Sequence, residues 1–365
     1  MVYRVIGLMS GSSLDGLDIA FAEISENGGK WTYEIVCADC YEYPDEWISK
    51  LKSATYLNAL DYQLLHTSYG HYLGNEVNRF ILANGLQYKV ALVASHGHTT
   101  FHVPAEKMTA QLGDGAAIAA VTQLPVASDL RSLDVALGGQ GAPIVPIGEK
   151  LLLGDYDFFL NLGGIANLSV NATNYSAFDV CAANRVLNML AARAGKDFDE
   201  GGKMSSGGDV NPALLNKLNE LEYYRQPYPK SLANEFGTAI VYPIVDEAAL
   251  PVNDALRTYA EHIAIQVSQS VQQLLSQTRE KEACKMLVTG GGAFNVFLME
   301  RIRQNLAPLK VEVVIPDDKL VKFKEALIMG LIGVLRWREE ANVLSSVTGS
   351  RHNSIGGALW MGLTE

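Results

Sequence analysis

Apolar residues fall in short runs along this chain, and the period of those runs changes from one region to the next. Three extended runs open it, at residues 2–9, 17–24 and 31–38, separated by turns of Gly, Ser and Asn. The pattern predicts an antiparallel meander. Helical spacing follows at 46–54 and 61–83, and an apolar run at 89–94 ends on Ser95-His96-Gly97-His98. A helix feeding an apolar strand signals an α/β layer. Runs at 158–162, 165–170 and 176–179 then form a second strand cluster with an early glycine turn. Helices are expected at 182–194, 212–221 and 253–281, the last one long and amphipathic. Beyond them a strand at 285–289, a glycine turn, a helix at 294–305 and a strand at 311–315 complete the pattern. The halves are too unlike to be a sequence repeat, yet they imply a duplicated architecture.

Length supports that division, because 365 residues exceed what one hydrophobic core usually serves. The polar, glycine-rich stretch 128–141 reads as a linker or as the lining of a cleft. The expected domains are 1–130 with 340–365, and 131–339. With 48% hydrophobic and 19% charged residues the composition is that of a soluble globular protein. No apolar stretch approaches the roughly 20 residues of a membrane span, and residues 1–6 are too short for a signal peptide. A cytoplasmic, non-membrane protein is expected. The net charge of −11 weighs against sequence-independent nucleic-acid binding. Cys37-x-x-Cys40 ends an apolar run, and the remaining cysteines, Cys181 and Cys284, form no second pair, so structural thiols are expected rather than a zinc or redox centre.

Residues 7–18 read Gly-Leu-Met-Ser-Gly-Ser-Ser-Leu-Asp-Gly-Leu-Asp between two strand runs. A plain hairpin loop needs only about two to five residues. This one gathers backbone N–H groups, hydroxyls and a carboxylate, which phosphates and their metal require. No Gly-Lys-Ser/Thr follows, so it is not a Walker loop. Gly290-Gly291-Gly292 after a strand begins like a dinucleotide fingerprint, with Asp317 beyond the next strand. However, Asn295 stands at the third fingerprint glycine, and a dehydrogenase would leave the other glycine loops unexplained. His96, His98 and His102 could share a strand face as metal ligands or serve as hydrogen-bond partners of a polar ligand, and the second reading is preferred. Asp179, between a strand and a helix, suits an N-cap and a general base alike.

Ordered motifs run from one end of the chain to the other: residues 7–16, Ser95-His-Gly-His-Thr99, Gln111-Leu-Gly-Asp114, Gly138-Gly-Gln-Gly-Ala-Pro143, Asn161-Leu-Gly-Gly-Ile-Ala-Asn167, Phe178-Asp179, Gly290-Gly-Gly-Ala-Phe-Asn295, Glu325-Ala326 and Val347-Thr-Gly349. In these the chain resembles the 1,6-anhydro-N-acetylmuramic acid kinases, within the superfamily of sugar kinases, actin and heat-shock ATPases. The resemblance implies an α/β fold of two ribonuclease-H-like (actin-like ATPase) domains around an interdomain cleft, with ATP and Mg2+ as cofactors. It places nucleotide contacts at Gly11, Ser12, Ser13, Leu14, Asp15, Gly16, Leu17 and Asp18, at Gly163, Gly164 and Asn167, and at Gly290, Gly291, Gly292 and Asn295, with Asp15 toward the metal. An aspartate at the position of Asp179 would activate water to open the anhydro sugar, whose released O6 takes the γ-phosphoryl group in peptidoglycan recycling. Arg131 would position this small amino sugar, helped by His96, His98 and Glu325, and a homodimer stays open.

The chain also departs from the family pattern. Val180-Cys181-Ala182-Ala183 stands for Thr-Gly-Pro-Gly after Phe-Asp, Lys324 precedes Glu325 where an acidic residue is expected nearby, and His98 stands for glutamine. A nucleotide-binding relative with an altered sugar or lost catalysis is therefore the second reading. Asp15, Asp179, Asn184 and the three glycine loops favour the active kinase.

Overall fold

The opening strand, β1 (Val2–Ser10), is exposed at its start and almost continuously buried from Val5 onward, as expected of a strand with neighbours on both sides. The computed structural model describes all residues except 12–13, 173–174, 229, 234, 279–282 and 363–365. β1 pairs antiparallel with β2 (Gly16–Asn27), which pairs antiparallel with β3 (Lys30–Glu42). On its other edge β1 runs parallel to β4 (Leu92–Ser95). β5 (His98–Val103) and β6 (Met108–Leu112) form a separate hairpin, and β7 (Val126–Ser128) returns to extend the main sheet beside β4.

The second meander is β8 (Phe158–Leu162), β9 (Ile165–Val170) and β10 (Ser176–Ala182), followed by β11 (Cys284–Thr289) parallel to β8 and β12 (Val311–Val314) parallel to β11. β13 (Ala358–Trp360) closes the first sheet against β7. The sheet orders are β13-β7-β4-β1-β2-β3 and β10-β9-β8-β11-β12. Each sheet holds an antiparallel three-strand meander whose first strand continues into parallel strands. This is the duplicated architecture that the two glycine-turn meanders predicted, in the ribonuclease-H-like form that the family resemblance implies.

The chain divides into residues 1–153 with 323–365, and residues 154–322. The expected boundaries at 130/131 and 339/340 are thus displaced. The stretch 128–141 is no linker, because it enters β7, turns through the helix Ser132–Ala136 and buries Asp134 completely. At the other boundary, the helix Asp318–Trp337, which the sequence pattern had not signalled, is kinked at Phe323 (φ −114°, ψ 16°). It lies so near β1 that a Cβ on Gly7 would stand 1.8 Å from the Ala326 carbonyl oxygen.

In the first unit the helix Ala59–Ala83 starts on an Asn58 cap and buries Leu65, Tyr69, Leu73, Val77 and Phe80, the apolar stripe its spacing predicted. In the second unit the helix Val252–Leu274 ends short of the expected 281 and is enclosed on most sides, with Tyr259 and His262 fully buried. Burial pushes the His262 ring down to about 3, so it is neutral between Asn219 Oδ1 and the Tyr224 hydroxyl. Among the described residues no helix is long and apolar enough to cross a membrane.

Candidate active site

The two units carry the expected site residues separately. In the first unit, Ser10 and Leu17 are the last paired residues before the β1–β2 loop. Leu14 takes a left-handed conformation (φ 58°) and its N–H donates to the Gly11 carbonyl. Ser12 and Ser13 lie outside the described residues. Leu14 and Leu17 turn their side chains into the core, so only their backbones can meet a ligand. Among the described side chains here, the polar chemistry falls to Asp15, which is exposed and accepts from the Gly16 N–H, and to Asp18 at the start of β2. The Asp18 carboxyl is pushed up to about 6, first by burial and then by the charges of Asp15 and Glu325, against a stabilising contact from Cys40. The Cys40 thiol is itself pushed up to about 12 by burial and by Asp18, so it stays protonated at neutral pH.

Arg131 is anchored twice. Its Nε donates to His96 Nε2 at 2.8 Å and its Nη1 to the Gly141 carbonyl at 2.5 Å. His96 Nδ1 in turn donates to its neighbour's carbonyl at Gly97. Burial and the adjacent guanidinium push the His96 ring down to about 3. His96 is thus a neutral prop for Arg131, not a metal ligand. Asp134 does not compete for the guanidinium, because its oxygens accept from the Gly141 N–H and the Thr348 hydroxyl. Burial lowers Arg131 only to about 10, with Glu325 and Asp134 holding it up, so it remains a cation.

Glu325 is raised by burial and held down by Lys324 and Arg131. Lys324 is tied to Glu149 at 2.7 Å, with both side chains buried. The departure at Lys324 is therefore one half of an internal ion pair. His102, on the partly exposed hairpin, has Nδ1 against Thr109 Oγ1 and its ring edge beside Gly141, where burial and the Arg131 charge push it down. Among the described residues no three His, Cys, Asp or Glu side chains form a metal cage.

In the second unit Asp179 lies inside β10, which continues to Ala182, while Ala183 stands at the cap position of the helix Asn184–Ala192. The expected N-cap role is absent. A bulge between Asp179 and Cys181 re-aims the strand there. Asn167 Nδ2 donates to Asp179 Oδ1, and the Leu232 N–H donates to Oδ2 at 2.7 Å. The Tyr223 hydroxyl fixes the Asp179 carbonyl at 2.6 Å. Burial raises the carboxyl, and the two donors offset part of the rise. Such a group keeps lone pairs for water and has the raised proton affinity a general base uses. Val180, Cys181, Ala182 and Ala183 are all buried, so the departure from the family pattern completes a strand and fills core.

Gly163 and Gly164 turn their carbonyls to the N–H groups of Asn184 and Ala183. Asn184 Nδ2 also donates to the Leu162 carbonyl, which joins this turn to the start of the helix. Gly290 (φ 83°) presses so close to β8 that a Cβ would meet Asn161 Oδ1 at 2.5 Å. A Cβ on Gly291 would meet only Asn184 Nδ2, at 3.8 Å, whereas Gly292 is packed against Leu162. Asn295 caps the helix Val296–Leu306 by accepting from the Leu298 N–H, and Asp317 accepts from the Leu320 N–H. Those side chains serve helix ends, which removes the ribose role that the dehydrogenase reading needed for Asp317.

Paired ribonuclease-H-like units with glycine turns between their antiparallel strands define the actin-like ATPase and sugar kinase class. Within that class the chain belongs to the anhydro-N-acetylmuramic acid kinase family, whose model matches residues 3–362. An "Anhydro-N-acetylmuramic acid kinase" of Francisella tularensis subsp. novicida is 31% identical, with 97% of each chain covered. One of Streptomyces coelicolor is 33% identical, covering 98% of this chain and 94% of the relative. Among solved structures, component A of the Acidaminococcus fermentans (R)-2-hydroxyglutaryl-CoA dehydratase aligns over 91% of this chain and 97% of its own, at 14% identity and a TM-score of 0.44. That likeness is too slight to carry an argument.

Proposed function

We propose that this chain is an active kinase that adds water across the internal ether of 1,6-anhydro-N-acetylmuramic acid and phosphorylates the released O6 with ATP. The observation that carries this reading is Asp179: a half-buried carboxylate with raised proton affinity, held by Asn167 and the Leu232 N–H at a strand bulge. Asp179 takes a proton from water as the oxygen attacks the anomeric carbon. The C1–O6 bond breaks, O6 becomes the nucleophile toward the γ-phosphorus, and the products are N-acetylmuramic acid 6-phosphate and ADP. General-base assistance of this kind contributes about 100- to 10,000-fold.

Arg131, charged and anchored by His96 and Gly141, holds an anionic or polar group of the sugar, with Glu325 beside it. Burial, with the charges of Asp15 and Glu325 added to it, pushes Asp18 up to about 6, and a divalent cation would favour the ionised form, so Asp15 and Asp18 suit Mg2+. Such a site uses one or two carboxylates plus phosphate oxygens and needs no closed protein cage. Asp15 and Asp18 would hold the ion there, and it would supply charge neutralisation for phosphoryl transfer. Gly11 and Gly16, Gly163 and Gly164, and Gly290 to Gly292 supply backbone for the nucleotide. The reading places the protein in the cytoplasm, in cell-wall recycling, and leaves open a homodimer.

The test is the product of purified protein with ATP, Mg2+ and the anhydro sugar. A mass gain equal to one water plus one phosphoryl group is expected. A phosphorylated sugar still lacking the water, or no sugar product while ATP binds, contradicts the proposal, and the latter favours the binding relative.

A further inference from the structure

Ser10 closes β1 directly before the first glycine loop, and its hydroxyl belongs to a buried chain. The Tyr69 and Tyr43 hydroxyls lie 2.6 Å apart, Tyr43 donates to Ser10 Oγ at 2.8 Å, and Ser10 Oγ is 3.1 Å from His98 Nδ1. All four side chains are buried. Burial pushes both phenols up, Tyr69 to about 12, so each keeps its proton at neutral pH.

A serine hydroxyl has one proton to give. Ser10 already accepts from Tyr43, and within the hydrogen bonds the structure makes, the acceptor left for its own proton is His98 Nδ1. Burial pushes the His98 ring down as well, so it is neutral and carries a single proton. With Nδ1 accepting, that proton resides on Nε2. No described residue accepts from this Nε2–H. His96 has the opposite arrangement, with its proton on Nδ1 toward Gly97 and its Nε2 accepting from Arg131. The hydrogen-bond network thus assigns opposite tautomers to two histidines two residues apart.

We propose that His98 determines sugar specificity as a one-way donor: the Tyr69–Tyr43–Ser10 chain locks its ring so that Nε2–H points to an acceptor-only oxygen of the sugar, an ether or amide carbonyl. This deepens the kinase reading and rests on it. The glutamine that the family resemblance places here could present either a donor or an acceptor to the same atom. The locked imidazole presents only a donor. Tyr43 and Ser10 act through His98 and are positioning residues.

The test joins a spectroscopic readout to kinetics. In the full-length protein labelled with 15N-histidine, two-dimensional correlation spectra should show His98 as the neutral Nε2–H tautomer, and Tyr43→Phe should disturb that signature. His98→Ala should raise KM for the anhydro sugar about 3- to 10-fold, the span of one neutral hydrogen bond, with KM for ATP unmoved. His98→Gln should recover most of the loss, and Tyr43→Phe should move the sugar KM more than kcat. An Nδ1–H tautomer, an imidazolium at neutral pH, or an unmoved sugar KM in His98→Ala overturns the proposal. Wild-type protein that forms no product from the sugar overturns the kinase reading, and the sugar role of His98 with it. A locked Nε2–H ring with an unmoved KM overturns the His98 proposal alone.

Discussion

The β1–β2 and β8–β9 turns occupy the same place in sheets of the same topology, yet they offer different chemistry. The first is a longer loop that carries Asp15, with Asp18 just beyond it in β2, where burial and then the charges of Asp15 and Glu325 push the carboxyl up to about 6. The second is a tight turn of Gly163 and Gly164 without charge, its carbonyls taken by Ala183 and Asn184, so its amides are what it can offer a ligand. Duplicated topology therefore does not mean duplicated function. On the proposed function one copy would hold a cation and the other would meet phosphate oxygens. The buried Lys324–Glu149 pair, Arg131 and Glu325 belong to the first unit; in the second, Asp179 is held by neutral donors, while Arg185 stands beside Gly164 and Arg301 pairs with Glu261.

The comparison breaks first where charge is buried. Glu149→Ala would leave Lys324 without its partner in the core of the first unit, and a loss of about 3–5 kcal/mol in denaturant unfolding is expected. An unchanged midpoint would mean that the pair is not buried as described. Glycine substitutions come next. Gly7→Ala drives a methyl group into the helix backbone at Ala326 and should cost about 1–3 kcal/mol or more. Gly163→Ala meets nothing closer than 3.5 Å, so the fold should persist while nucleotide affinity, read by calorimetry, falls. Equal destabilisation by the two substitutions would erase the contrast between a packing glycine and a ligand-facing one.

The smallest effect is the pH dependence of Asp18. Its folded-state pKa lies above its unfolded value, so the folded chain binds more protons and the contribution to stability is fully present below about 4. That contribution is lost as pH rises through about 6. Thermal melts of the apoprotein should show this slope, and Asp18→Asn should flatten it. Mg2+ favours the ionised form and should counter the loss above pH 6; a melt indifferent to Mg2+ would argue against a cation at this loop.

Strand runs were legible where burial and periodicity coincide. The bounds of β8 and β9 match the residues expected from apolar runs and a Gly-Gly turn. The β5–β6 hairpin and the helix Asp318–Trp337 were missed, the first because its alternation is weak and largely exposed, the second because its kink at Phe323 interrupts the period. Asp179 was expected at a strand end, but Val180 and Cys181 continue the strand past a bulge that no local pattern announces. The partners of the site residues were also hidden, since His96 with Arg131, Leu232 with Asp179 and Thr348 with Asp134 are joined across long stretches of chain. His98 in place of glutamine was visible, but its tautomer depends on Tyr43 and Tyr69, which carry no motif.

Coupled ADP release from 1,6-anhydro-N-acetylmuramic acid, measured for the wild type and Asp179→Asn at matched nucleotide occupancy, tests the account most directly. The Leu232 N–H can still donate to the amide oxygen, and Asn167 with its own amide flipped can accept from the new NH2, so the variant should bind ATP as the wild type does while turnover drops about 100- to 10,000-fold. Wild-type turnover by Asp179→Asn, or a wild type that binds ATP and releases no ADP with the sugar, would contradict it.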